Sequence, residues 1–482
     1  MVSKGWVRGG LLRHGDMVDG FWAEWLVQPS DFNRLKCIHI AGTKGKGSTS
    51  AFISSILAQY LRGVAQDAPL IHQIGLYTSP HLRFVRERIQ INNKPLSEEL
   101  FAKYFFEVWD RLEDAARREG HPIDTSAKPV YFRFLTLMAF HTYMCEGVDT
   151  AVIECGIGGE YDSTNIIEAP TVTGITSLGI DHTAMLGDTI EEIAWHKAGI
   201  MKTGTPSFTA PQPQKALEVL QNRAEERSVA LEVVEPHPEI DNVALGLAAD
   251  FQKTNASLAI AIASAHLRSL GHSAPHTSPL PPPFLRGLAE VRWPGRCEIR
   301  REGNIAWHID GGHTLESIEA AGRWLASLIP PLPSTGLHGS PKSTRILLFN
   351  QQTRDAASLA KKLHSTLSAA LHNQQPFTHA VFSTNLTFAK EGYGPDLVSV
   401  NTNASEIAAL EVQNRLADTW SRLDPATEVV VRGSIEEAVS WVRDIARGVK
   451  DELQEEEVKV LVTGSVHLVG GFLEVVETAG QR

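Results

Sequence analysis

The sequence predicts an α/β protein built on parallel sheets and arranged in two halves. Three observations carry this. Short β-branched runs alternate with longer stretches at helical spacing along most of the chain. A glycine-rich turn stands between the first strand and the first helix. The alternation halts at a proline-rich stretch near residue 280 and then restarts.

In chain order, residues 35–40 read as a strand that runs into Gly42. Residues 49–61 carry apolar side chains at helical spacing, as do 101–118, 130–145, 190–198, 213–227 and 255–270. Residues 150–153 and 172–176 read as short buried strands. Residues 271–283 are rich in His, Ser and Pro and end in three consecutive prolines, so they are expected to be a linker or an exposed loop. Beyond it, strands are expected at 305–309, 345–349, 379–382, 428–431 and 459–462, with helices at 315–328 and 355–371. A second Pro/Ser/Gly-rich loop is expected at 330–342, and an acidic solvated face at 452–457. The division that follows is residues 1–286 and 287–482.

Composition narrows the function. The 482 residues are 43% hydrophobic and 21% charged, a globular mixture that can fill a core in each half. A net charge of -11 argues against nucleic acid as a partner. No apolar run is long enough to span a bilayer. Cys37, Cys145, Cys155 and Cys297 form no C-x-x-C pair, which points to a reducing compartment and no structural zinc. The cytoplasm is the expected location. Lys4, Arg8 and Arg13 near the start leave a mitochondrial pool, in the matrix or associated with the inner membrane, as the alternative.

The sharpest local signal is Gly42-Thr43-Lys44-Gly45-Lys46-Gly47-Ser48, followed by Thr49. Glycines let several backbone N–H groups converge on one anion, and the helix that follows adds its positive end. Lys46 supplies a charge for outer phosphates, and the Ser48 hydroxyl can meet a magnesium ion. The glycine between Lys46 and Ser48 departs from the usual P-loop spacing. Glu154 closes the strand at 150–153, where a carboxylate can bind metal. Asp181 and His182 follow the strand at 172–176. Lys197 lies on a helix, and a solvated face is its plainest reading. Arg296 follows the Trp293-Pro294-Gly295 turn, suited to reach a neighbouring domain. Asp310 ends a strand, where it could meet a ribose or cap a helix.

With these residues in place, the chain resembles the folylpolyglutamate synthases, relatives of the Mur ligases. Residues 41–48, Ala-Gly-Thr-Lys-Gly-Lys-Gly-Ser, look like the family's phosphate loop. Residues 75–82, Gly-Leu-Tyr-Thr-Ser-Pro-His-Leu, are similar to its folate-side segment, and residues 154–165 to its second signature. Gly179 to His182, the Lys197 helix, Trp293 to Arg296, Asp310 to His313 and residues 463–470 follow in the family's order. Lys44 and the segment 96–111 suggest the eukaryotic type.

The resemblance implies a P-loop ATPase domain followed by a smaller Rossmann-like domain, with the active site in the cleft between them. It implies ATP-dependent addition of L-glutamate to the γ-carboxyl of tetrahydrofolyl-(poly)glutamate through an acyl phosphate. Lys46, His182 and Lys197 are the implied catalytic residues. Residues 42–49, Asn255, Arg296, Asp310 and His313 would bind ATP, and Thr78, Ser79, Pro80 and His81 the folate. Mg2+ would be held by Ser48, Glu154 and His182, with a monovalent cation such as K+ as a further candidate. Lys197 resembles a lysine that some relatives carry as a carbamate. ATP, folate and L-glutamate are the expected partners of a monomer. The alternative within the same chemistry is a dihydrofolate synthase that adds the first glutamate to dihydropteroate. A non-catalytic folate-binding relative would lack the loop or metal residues, and all of them are present.

Overall fold

The computed structural model describes residues 29–61, 71–122, 128–272, 278–329, 344–352, 355–389, 410–449 and 457–479. Contacts divide the chain into two units. The first comprises residues up to His81, Arg86–Gly246 and Gln252–Val291. The second comprises Leu82–Val85, Leu247–Phe251 and the chain from Arg292 onward.

In the first unit the chain runs through β1 (Ile38–Ala41), α1 (Lys46–Ala58), β2 (Ile74–Tyr77), β3 (Ile89–Ile91), β4 (Lys94–Pro95), α2 (Glu98–Glu119), α3 (Tyr131–Glu146), β5 (Thr150–Glu154), β6 (Val172–Ile175), α4 (Thr183–Leu186), α5 (Ile190–Ala198), β7 (Ser207–Thr209), α6 (Gln214–Glu226), β8 (Leu231–Val233), α7 (Gln252–Ser269) and α8 (Pro282–Glu290). These strands form one sheet in the order β4-β3-β2-β5-β1-β6-β7-β8. All neighbours pair in parallel except β2–β3 and β3–β4. Every residue of β1, β2, β5 and β6 is buried, as expected of central strands covered on both faces. β1 therefore sits mid-sheet, and the loop after it opens at the carboxyl edge between β5 and β6, where α/β sheets bind ligands.

The helices follow from capping and patterning. α2 starts at Ser97, whose hydroxyl accepts from Leu100 N at 3.2 Å, and stops at Gly120 with φ 73°. It buries one stripe, Tyr104, Val108, Leu112 and Ala116. α1 and α7 are instead buried nearly all round and lie inside the unit.

The second unit holds β9 (Glu298–Glu302), β10 (Ile305–Ile309), α9 (Leu315–Ser327), β11 (Arg345–Phe349), α10 (Ala356–Leu371), β12 (His379–Ser383), α11 (Glu411–Leu423), β13 (Glu428–Arg432), α12 (Ile435–Gly448), β14 (Val458–Thr463) and α13 (Val466–Ala479). Its sheet runs β13-β12-β11-β14-β10-β9, parallel except for the β9–β10 hairpin. One face packs Trp307 against Phe472 with ring centroids 4.9 Å apart, and the other packs Trp420 among Phe377 and Phe382. Both sheets are thus the parallel α/β type the sequence predicts, and the second unit is the smaller.

One expectation is corrected. The prolines at 281–283 do not exclude a helix: Pro281 is the N-cap of α8, and Pro282 and Pro283 form its first turn. First-turn N–H groups have no intrahelical partner, so losing them costs nothing, and the fixed φ suits the helix. The rest of that stretch at 273–277, the loop at 330–342 and the acidic residues 452–456 lie outside the described residues. Glu457 is described, and it pairs with Arg301 and Lys459. β2, β3, β4, β7, β8 and β9 were not expected. All but β2 and β9 have three residues or fewer, and β9 is largely charged.

Candidate active site

The loop after β1 is pinned by backbone. Thr43 N and Lys44 N both donate to Ser177 O, at 3.1 and 3.0 Å, and Thr43 Oγ1 donates to Gly179 O at 3.1 Å. Gly42 has φ 150° and lies against Thr176, where a Cβ would come 1.8 Å from Oγ1. Gly45, with φ 87°, is the N-cap of α1, and a Cβ there would come 2.2 Å from Asn255 Oδ1. Only glycine meets both the left-handed backbone and this approach. Asn255, on α7, is therefore a direct neighbour of the loop.

Polar side chains gather around this turn. Lys46 Nζ lies 3.9 Å from Glu154 Oε1, and the Glu154 carboxylate, at the end of β5, is 2% exposed. The other oxygen, Oε2, accepts from Ser79 N at 3.3 Å, which brings the segment Thr78-Ser79-Pro80-His81 to the same carboxylate. Thr78 N donates to Arg88 O, and His81 Nδ1 accepts from Arg88 Nε at 2.9 Å. Lys44 Nζ lies 3.6 Å from Asp181. Lys197, reading from sequence as a surface lysine, is 3% exposed, and its Nζ donates to Gly42 O at 2.7 Å. Burial and then the Lys46 charge lower its pKa from 10.5 to about 7. His182 is exposed and is the N-cap of α4, with φ 53°.

The structure adds residues that the sequence did not single out. Gln252 is fully buried, donates to Ser48 Oγ at 3.2 Å and accepts from Asn255 Nδ2 at 2.8 Å. The Ser48 hydroxyl is thereby oriented from α7, 204 residues away. Thr49 Oγ1 is buried with no hydrogen-bond partner among the described residues. Asp162 holds the turn after β5, accepting from Ile157 N at 2.9 Å, Thr164 N at 2.9 Å and Thr164 Oγ1 at 2.7 Å; its burial raises its pKa against these bonds. Glu160 in the same turn takes Arg223 Nη2 at 2.8 Å and Arg227 Nη2 at 2.6 Å, and Arg223 lies over the Trp195 ring at 4.6 Å. Glu160 N donates to His196 O at 2.7 Å, so this clamp seats the turn on the helix that carries Lys197.

The residues fit a magnesium ion through the Ser48 hydroxyl and the Glu154 carboxylate, hard oxygen donors beside a phosphate-type loop, with Glu154 buried and paired with Lys46 at 3.9 Å. Glu154, Asp181 and His182 do not themselves form a compact three-donor set. Among the described residues that grouping occurs only at Glu107, His141 and Cys145.

In the second unit Arg296, Asp310 and His313 come together. Asp310 Oδ2 accepts from Cys297 N at 3.0 Å and Oδ1 from Gly312 N at 2.9 Å. Its carboxyl is 6% exposed, and burial raises its pKa although Arg296 opposes this. A Cβ on Gly311 would lie 2.6 Å from Arg296 Nη1, and His313 Nδ1 lies 3.0 Å from Gly311 O. The cap of α9 is Thr314, so Asp310 is not serving as a helix cap.

No family model matches the chain. Among curated proteins it is 46% identical over 453 residues to the folylpolyglutamate synthase of Neurospora crassa, covering 93% of this chain and 83% of that protein. It is 46% identical over 456 residues to the folylpolyglutamate synthase of Saccharomyces cerevisiae S288c, covering 92% of this chain and 78% of the relative. Its fold is shared with Mycobacterium tuberculosis folylpolyglutamate synthase complexed with ADP and AMPPCP, at a TM-score of 0.68 and 22% identity, covering 97% of this chain and 99% of that one. It is shared too with a folylpolyglutamate synthase–AMPPCP–folate complex, at 0.63 and 22%, covering 98% of each. On the sequence identity and its extent, the chain belongs to the folylpolyglutamate synthase family.

Proposed function

We propose that this chain is an ATP-dependent ligase that joins the amine of L-glutamate to the γ-carboxyl of tetrahydrofolyl-(poly)glutamate, releasing ADP and phosphate. One observation carries the assignment of roles: a single buried carboxylate, Glu154, faces Lys46 of the glycine loop with one oxygen and takes the Ser79 amide on the other. Phosphate-binding and folate-side segments thus share one anchor.

A carboxylate does not acylate an amine at neutral pH, because oxide is a poor leaving group. Attack of the γ-carboxylate on the terminal phosphorus of ATP forms a C–O–P linkage and expels ADP. The glutamate amine then attacks the acyl carbon, phosphate departs, and the amine loses its proton. The first step drives an anion against an anion, so positive charge must be held at the loop. Lys46 and the N–H groups in the first turn of α1 supply it, those of Thr43 and Lys44 being held by Ser177 O, with Asn255 buttressing the turn. Arg296, Asp310 and His313 are assigned further nucleotide contacts; a carboxylate has about four acceptor positions, so the two backbone bonds to Asp310 leave room for a ribose hydroxyl. Mg2+ on Ser48 and Glu154, with His182 as the third assigned ligand, would neutralise phosphate charge. Burial lowers the Lys197 pKa to about 7, so its amine holds its charge less firmly than a surface lysine while it donates to Gly42 O. We assign the enzyme to the cytoplasm as a monomer.

The test is mass spectrometry of products from tetrahydrofolate, L-glutamate, ATP and Mg2+ with purified protein, and in parallel from dihydropteroate. Successive glutamate additions to tetrahydrofolate are expected. Addition to dihydropteroate alone would replace this reading with the dihydrofolate synthase one, and addition to neither would remove the ligase assignment.

A further inference from the structure

The side chains of Glu107, His141 and Cys145 lie apart from the glycine loop and take no part in the reaction above. His141 and Cys145 stand four residues apart on α3, so they project from one face of that helix. Glu107 reaches them from α2. His141 Nε2 is 2.6 Å from Glu107 Oε2, and Cys145 Sγ is 3.5 Å from His141 Nδ1 and 3.8 Å from Nε2. The three donor atoms lie within 4.8 Å of one another.

The geometry points to a binding site for a borderline-soft divalent ion, Zn2+ by preference, formed by Glu107, His141 and Cys145 on the α2–α3 face. A tetrahedral zinc ion with N, O and S donors has donor–donor edges of roughly 3.3–3.7 Å. The sulfur–Nε2 separation is already at that scale. The Glu107–His141 pair is closer because a proton lies between them, and replacing that proton with an ion needs those atoms to part by under about 1 Å. Glu107 is about one-third exposed and Cys145 is exposed, so both can adjust, while His141 is buried and fixed. The Tyr104 ring meets the imidazole edge-on at 5.3 Å, and Tyr104 is itself bonded to Glu146. That support holds the ring as outer contacts do in metal sites. A thiolate and an imidazole select zinc over magnesium, which separates this site from the oxygen donors Ser48 and Glu154. The two are also at opposite ends of one strand: α3 leads into the start of β5, and Glu154 closes it. Binding releases the thiol proton to solvent, leaves the ring proton of the neutral imidazole on Nδ1, and ties α2 to α3.

Cobalt(II) titrated into the full chain tests this, because a thiolate on cobalt gives a near-ultraviolet charge-transfer band. A saturable band at one equivalent is expected, displaced by equimolar Zn2+. Cys145→Ser should abolish it, and Glu107→Gln and His141→Gln should each weaken cobalt affinity tenfold or more. Zn2+ should also slow alkylation of Cys145, followed by peptide mass spectrometry, at least tenfold, a readout that needs no variant to fold. Cys145→Ser should leave glutamate incorporation unchanged. Absence of the band in the wild type, its survival in Cys145→Ser, unchanged affinity in Glu107→Gln, or unprotected alkylation would each overturn the site.

Discussion

Strands β1 and β10 both end in glycine-bearing turns at the carboxyl edge of a parallel sheet, yet the turns differ in what their polar groups are occupied with. After β10 the one acid, Asp310, gives part of its accepting capacity to structure, taking the Cys297 and Gly312 amides. No lysine stands in residues 310–314. After β1 the backbone is held from outside, by the Ser177 carbonyl, and three lysines, Lys44, Lys46 and Lys197, surround the turn. The same topology thus gives a charged cradle in one unit and a stitched corner in the other. What distinguishes them is which groups local folding takes up: backbone N–H groups after β1, where the lysine charges remain, and the carboxylate after β10.

Four variants break or sharpen that contrast. Lys46→Ala is expected to have the largest effect, lowering ATP-dependent glutamate incorporation by about 10²–10³ or more, the scale of losing a preorganised electrostatic contact. Its circular dichroism and urea midpoint should stay near wild type; turnover within tenfold of wild type would take Lys46 out of the chemistry. Gly45→Ala comes next. A left-handed backbone costs a non-glycine residue about 1–3 kcal/mol, and the new methyl meets Asn255. ATP affinity measured by calorimetry should fall tenfold or more, with normal affinity counting against the close approach.

Asp310→Ala should behave in the opposite way to Lys46→Ala, by lowering stability. It strands the buried amides of Cys297 and Gly312, at about 1–3 kcal/mol, read as an earlier urea transition. An unmoved transition would mean the corner does not depend on it. The smallest effect is a slope. Unfolded Lys197 has an ordinary pKa of 10.5, and the folded one about 7. Between those values the unfolded chain binds more protons, so stability rises with pH over that window, by at most about 1.4 kcal/mol per unit from this group. Lys197→Met should flatten the rise of the urea midpoint between pH 7 and 9; an identical slope in the variant would show that the amine is not desolvated.

How far the sequence went is clear from particular residues. The loop was legible because glycine, lysine and serine between a strand and a helix form a local pattern. Glu154 was legible because it closes a short apolar run before glycines. Gln252 was not. It acts on Ser48 across 204 residues, and a glutamine near the start of a helix carries no local mark. Lys197 was read on its plain merits as a solvated lysine, since sequence spacing gives no measure of how deeply α5 is covered. The short strands escaped because three residues are too few for a period to appear, and α8 because a proline run reads the same before a helix as within a loop.

The clamp on Glu160 has a consequence for anyone screening this protein for lost activity. Arg223 and Arg227 bond to Glu160 and so hold the turn after β5 against the helix that aims Lys197. Damage there would surface as a catalytic defect in protein that still folds, and the inheritance of such alleles would be misread as lesions of substrate contact. Second-site repair should then map to α6 rather than to the loop.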